Sequence, residues 1–187
     1  MFSKLDLSQF KGIKEVESTS FLLFGSIDTE NAASVAEWIL NCNDLDEPPN
    51  VLNLFVNSDG GDLTAAWAII DFISGSDIPV RTIGVGQVAS AGLFILMSGH
   101  PGLRVISENC SVMSHQYAWG SSGKHHELMA QVKEYNMIQD RLIKHFVKTC
   151  KLSIDDIEKY LMPPHDVYLS ADEAKNLGLC DIVKTLK

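Results

Sequence analysis

Strand-length apolar runs alternate with segments of helical periodicity along most of this chain, and that alternation constrains its fold more than any other feature. Phe21 to Phe24 forms the first run and ends at a Gly25–Ser26 turn, the pattern of a short buried strand. Ala32, Val35, Ala36, Ile39 and Leu40 then recur at helical spacing behind Asp28 or Thr29, either of which can cap a helix by accepting a backbone N–H. The segment NDLDEPPN stops that helix, because proline lacks the N–H and crowds the preceding turn. A strand from Val51 to Val56 follows, then a Gly60–Gly61 turn and a helix carrying Leu63, Ala66, Trp67, Ile70 and Ile73. The pattern returns as a strand over Val80 to Val85, a tight turn over Gly86 to Ala91, and an apolar helix through Leu93, Phe94 and Met97. Two short strands are predicted around Arg104 to Ser107 and Ser111 to Met113, before a glycine-containing stretch from Gly120 to Gly123. From about His125 to Cys150 the spacing predicts one long helix, with Leu128, Val132, Tyr135, Leu142, Phe146 and Val147 as its apolar stripe. Ser153 with Asp156, and Ser170 with Glu173, have the spacing of caps that open two shorter helices. Repeated βα units of this kind predict an α/β sheet.

Composition narrows the setting. With 187 residues, 45% of them hydrophobic, the chain is large enough to bury one core, and 1–187 reads as a single domain. Its 24 acidic and 15 basic side chains leave a formal charge of -9, which repels phosphate backbones and anionic lipid surfaces. Nucleic acid and membrane partners are therefore not expected. Cys42, Cys110, Cys150 and Cys180 lie far apart with no CxxC pair, and a domain of this size needs no disulfide staples. They read as reduced thiols of a cytoplasmic protein. The start of the chain is interrupted by Lys4, Asp6, Lys11, Lys14 and Glu15, which is not the pattern of a secretory signal. No apolar stretch approaches the roughly 20 residues of a membrane span.

Three places combine a reactive side chain with a strand-end or turn context. In GQVASAGLF, Ser90 sits among small residues between a predicted strand and a predicted helix. Small neighbours allow a sharp turn that exposes the hydroxyl and aims the Ala91 amide at a substrate oxygen. Taken alone, the same serine would serve equally well as a helix cap. In NSDGG the paired glycines permit close approach of the backbone to a ligand, so the Gly61 amide is a candidate second donor of an oxyanion hole. An isolated GG is more commonly a simple turn. In SVMSHQ, His115 follows a short apolar strand and needs a carboxylate to fix its tautomer before it can act as a base. The candidate carboxylate is Asp166 in HDVYLSADEA, with Asp155, Asp156 and Asp172 as competitors placed at helix ends.

With GQVASAG, VMSHQ and DVYLSADEAKNLGLCD in this order, the chain resembles the Clp protease proteolytic subunit family from about Phe21 to Val183. The resemblance implies a ClpP/crotonase-like α/β fold and a serine endopeptidase with Ser90, His115 and Asp166 as its triad. It also implies Gly61 and Ala91 as the oxyanion amides, and neither metal nor organic cofactor. Its further implications are a homo-oligomer of two stacked heptameric rings, a handle over about 117–150, and short or unfolded polypeptides as substrates. An ATP-dependent unfoldase is the partner usual for the family, but residues 1–20 are divergent and lack the stretch that forms its axial loops. Other departures are Asp59 and Tyr117 at positions where the family has prolines, and His165 where it has arginine. Two further readings share the fold: a catalytically silent assembly subunit, and a crotonase-like acyl-CoA enzyme.

Overall fold

In the computed structural model, residues 19–118, 120–150 and 152–185 are described. The divergent N-terminal segment, with its missing axial-loop stretch, lies outside the described residues except for residues 19 and 20. Among the described residues, seven strands and six helices follow in the order β1 (Ser20–Phe24), α1 (Thr29–Asn43), β2 (Leu52–Ser58), α2 (Leu63–Gly75), β3 (Val80–Ala89) and α3 (Ala91–Met97). They continue as β4 (Arg104–Ser107), β5 (Ser111–Ser114), α4 (His125–Thr149), α5 (Ile154–Tyr160), β6 (Val167–Leu169), α6 (Ala171–Asn176) and β7 (Ile182–Lys184). The α/β architecture expected from the alternating pattern is the one observed. No described helix is long and apolar enough to cross a membrane.

Local chemistry explains most boundaries. The Asp28 carboxylate accepts the Asn31 N–H at 2.8 Å and opens α1, and Asp62 does the same for α2 through Ala65. Ser153 caps α5, and Ser170 forms a reciprocal box with Glu173 at α6, as the sequence spacing predicts. The sheet runs β1-β2-β3-β4-β7 with these pairs parallel, and β5 joins β3 in parallel and β6 in antiparallel. Leu23, Leu54, Val56 and Ile106 pack with α1, α2 and α3 into one core. On the opposite face the registers line up Leu22, Phe55, Ile83, Val105 and Ile182 as a row across five strands. Leu22 and Phe24 on this face are 63% and 52% exposed.

Three expectations need correction. The tight turn expected over Gly86 to Ala91 is strand as far as Ala89. Gly86 adopts φ +68 and the register against β2 shifts there, so the strand bulges and continues. Its first half pairs with β4 and its second with β5. In α4 only Leu142 and Phe146 are buried, whereas Val132 and Val147 of the expected stripe are exposed. The helix packs against the body by its C-terminal half. Strands β6 and β7 were not anticipated: each has three residues, too few for a periodicity to register, and both are held by pairing with distant strands.

Arg104 fastens that C-terminal half. Its Nε and Nη2 donate to Asp181 at 3.0 and 2.6 Å, and Nη1 donates to the carbonyls of Thr149 and Gly178 at 3.1 Å each. Burial alone would raise the Asp181 carboxyl, but hydrogen bonds and charge from Arg104 outweigh it and hold the group below its ordinary range.

Candidate active site

Strand register assembles the site. Parallel pairing of β3 with β5 aligns Ala89 with Met113, so the residues just beyond, Ser90 on one side and Ser114 and His115 on the other, emerge at the same sheet edge. Antiparallel pairing of β5 with β6 aligns Ser114 with Val167. One step further, the same register sets His115 opposite Asp166. Pairing of β2 with β3 aligns Ser58 with Val88, and two steps on it brings Gly60 against Ser90. A Cβ on Gly60 would lie 2.7 Å from Ser90 Cβ and 3.3 Å from the Ala91 nitrogen. That close approach requires glycine.

Ser90 is the single non-glycine residue with positive φ among the described residues, at φ 51 and ψ -121. Such a conformation costs on the order of 1–3 kcal/mol and persists only where the surroundings impose it. Here the Ser90 N–H donates to Met113 O and its carbonyl accepts the Leu93 N–H, both at 3.0 Å. The side chain makes no capping bond to α3. Instead Ser90 Oγ lies 2.7 Å from His115 Nε2. The reading of Ser90 as a mere cap does not describe this geometry.

His115 Nδ1 faces Asp166 Oδ1 at 3.6 Å, with side-chain exposures of 28% and 54%. That separation exceeds a hydrogen bond and leaves an electrostatic contact. With the proton on Nδ1, facing the carboxylate, Nε2 is free to accept from the serine hydroxyl. The neighbours of His115 are anchored: Ser114 Oγ donates to Leu161 O at 2.5 Å and Gln116 Nε2 to Met162 O at 2.9 Å. Of the competing carboxylates, Asp155 and Asp156 lie in the first turn of α5 and Asp172 in that of α6.

The proposed oxyanion amides have suitable surroundings. Ala91 is the first residue of α3, where an N–H has no partner within the helix. Gly61 forms an isolated parallel bridge with Ile27 in which Ile27 N–H donates to Gly60 O and Asp62 N–H donates to Ile27 O, both at 2.8 Å. Neither bond uses the Gly61 N–H. A side chain at Gly61, where φ is +145, would collide with the Ile27 carbonyl.

Sequence reasoning placed Gly60 in a close-approach turn without seeing that it abuts Ser90, and it passed over Ser114 and Gln116. SVMSHQ contains the last two, but nothing in a linear pattern says that their side chains reach the carbonyls of Leu161 and Met162. The four cysteines are buried and none is in a disulfide, and burial pushes the Cys110 thiol up to about 12 and the Cys180 thiol up to about 11. His125 and His126 are exposed at the start of α4. Among the described residues no cluster of three or more His, Cys, Asp or Glu side chains could hold a metal ion.

A family model described as Clp protease matches residues 12–187 of the chain.

Proposed function

The chain belongs to the Clp protease family, and from that premise we propose that it is a serine endopeptidase in which Ser90 is the nucleophile, His115 the base and Asp166 the orienting carboxylate. The observation that carries this reading is the 2.7 Å contact between Ser90 Oγ and His115 Nε2, with the serine held at positive φ. Nε2 takes the hydroxyl proton as Oγ attacks the scissile carbonyl carbon, and the Gly61 and Ala91 amides bind the developing oxyanion. The imidazolium, steadied by Asp166, then protonates the leaving amine. Water then attacks the acyl-enzyme carbonyl as His115 takes its proton, and His115 returns that proton to Ser90 Oγ as the ester bond breaks, which releases the acid product and the free serine. The chemistry calls for neither metal nor organic cofactor.

In this reading the chain, one peptidase domain over 1–187, works as a homo-oligomer of two stacked heptameric rings, with about 117–150 as the handle between them. Enclosure limits entry to short or unfolded polypeptides, with an ATP-dependent unfoldase as the partner for folded ones. Reduced, buried thiols suit a cytoplasmic setting. One observation favours a second reading, a silent assembly subunit: the exposed Asp166 stands 3.6 Å from His115 rather than at hydrogen-bond distance. Labelling with a fluorophosphonate probe separates the two. A peptidase labels at Ser90, and Ser90→Ala loses both labelling and hydrolysis of short peptides while keeping its assembly. Absence of labelling in correctly assembled wild type, or full turnover in Ser90→Ala, overturns the proposal.

A further inference from the structure

The segment that carries His115 leaves β5 and enters neither helix nor strand over residues 115–118. Something other than a backbone ladder must aim the imidazole. On one side the side chains of Ser114 and Gln116 reach the Leu161 and Met162 carbonyls at the end of α5. On the other side Tyr117 stacks on Tyr135 of α4, with centroids 5.6 Å apart and ring planes inclined by 21°. Both rings are half-buried. Around this point α4 is otherwise lightly held, since Met129, Val132 and Met137 are exposed and its buried residues are Leu142 and Phe146 in the second half.

We infer that Tyr117 is a positioning residue: its stack on Tyr135 ties the segment bearing His115 to α4, so the aim of the base at Ser90 depends on where α4 sits. The surroundings of the Tyr117 hydroxyl agree with this placement. Burial pushes the phenol up, and the carboxylates of Glu134 on α4 and Asp62 beside Gly61 push it the same way. The ring therefore lies between the base segment and α4, within reach of the Asp62 charge. Without the stack, the segment samples placements in which the imidazole is off Ser90, and the competent fraction falls by the equilibrium worth of the contact. For an aromatic pair that is roughly 3- to 10-fold.

This inference rests on the peptidase reading, and the experiment separates the two. The rate of fluorophosphonate labelling at Ser90, together with kcat and KM for a short fluorogenic peptide, is measured on the full chain. The set comprises wild type, Tyr117→Ala, Tyr135→Ala, the double variant, and Tyr117→Phe and Tyr135→Phe. Each alanine variant is expected to lose roughly 3- to 10-fold in labelling rate and kcat with KM unchanged. The double variant is expected to be no slower than either single one, and each phenylalanine, which preserves the stack, restores the rate. Should an alanine variant fail to fold by circular dichroism, Tyr135→Leu keeps apolar bulk without the ring and takes its place. Additive losses in the double variant, unchanged rates in folded variants, or a change confined to KM would overturn the inference and leave the peptidase reading intact. A wild type that does not label at Ser90 overturns both.

Discussion

At Ser90 three constraints meet: a positive φ, a hydrogen bond from its N–H to Met113, and a glycine neighbour whose missing Cβ leaves room for the serine's own. Strain in such a residue is tolerated because β5 holds its N–H and the first turn of α3 holds its carbonyl. Asp166 is held differently, at 3.6 Å from the imidazole and more than half exposed. Replacing the buried, tightly bonded aspartate of trypsin costs about 10⁴ in turnover. A solvated and longer contact contributes less, so Asp166→Asn is expected to lower kcat on short peptides by on the order of 10², through loss of the preferred tautomer. Asp172→Asn is expected to leave kcat within about twofold, because Asp172 lies in the first turn of α6, where its charge meets the helix dipole. Steady-state kinetics on both variants checks the assignment: the reverse ranking would remove Asp166 from the site.

Among the elements, α4 shows most plainly how burial rather than periodicity sets an attachment. Near its C-terminal end His145 packs edge-on against Trp67 and Phe94 and donates from Nε2 to Phe94 O at 3.1 Å. Burial lowers its pKa from 6.5 to about 4. Between those values the unfolded chain binds the proton and the folded one does not, so the stabilisation is present above pH ~6.5 and is lost as pH falls towards 4. The loss amounts to on the order of 3 kcal/mol at its fullest. His145→Gln retains a donor for Phe94 O and removes the titration. Urea unfolding from pH 7.5 to 4 is expected to show wild type losing stability relative to this variant across that window. A constant difference between the two would mean that His145 does not titrate in this way.

For the whole molecule, the β1 edge of the sheet and several positions along α4 leave large apolar side chains uncovered within a single chain. Leu22 and Phe24 project from edge strand β1, in line with Phe55, Ile83 and Val105 on the neighbouring strands. An exposed apolar edge invites aggregation unless something covers it. The family is generally oligomeric, and in the homo-oligomeric reading proposed above another copy of this chain would cover it. Leu22→Lys combined with Phe24→Asp is expected to move the sedimentation-velocity distribution towards smaller species while leaving the far-ultraviolet circular dichroism unchanged. A folded double variant that sediments as wild type would show that this face takes no part in assembly.

Features that depend on near neighbours are legible in the linear chain. The caps at Asp28, Ser153 and Ser170, the strand over Phe21 to Phe24 and the extent of the long helix from His125 all follow from residues within a few positions of one another. Turn chemistry and periodicity are local physics, and they survive in a linear reading. Tertiary structure decided whatever needed a partner far along the chain. Gly86 reads as a turn residue but lies within β3, because Gln87 to Ala89 find a second partner in Ser111 to Met113. Val132 shares the helical spacing of Phe146 yet remains exposed, since only the second half of α4 lies over the core, and Val147 is exposed because it stands about 100° around the helix from Phe146. The meeting of Ser90 with His115, 25 positions apart, and of His115 with Asp166 follows from the registers of β3 with β5 and of β5 with β6. A shift of one residue in either register would turn these side chains to the other face of the sheet. Register is set by pairing energy summed over whole strands, and no short motif records that sum.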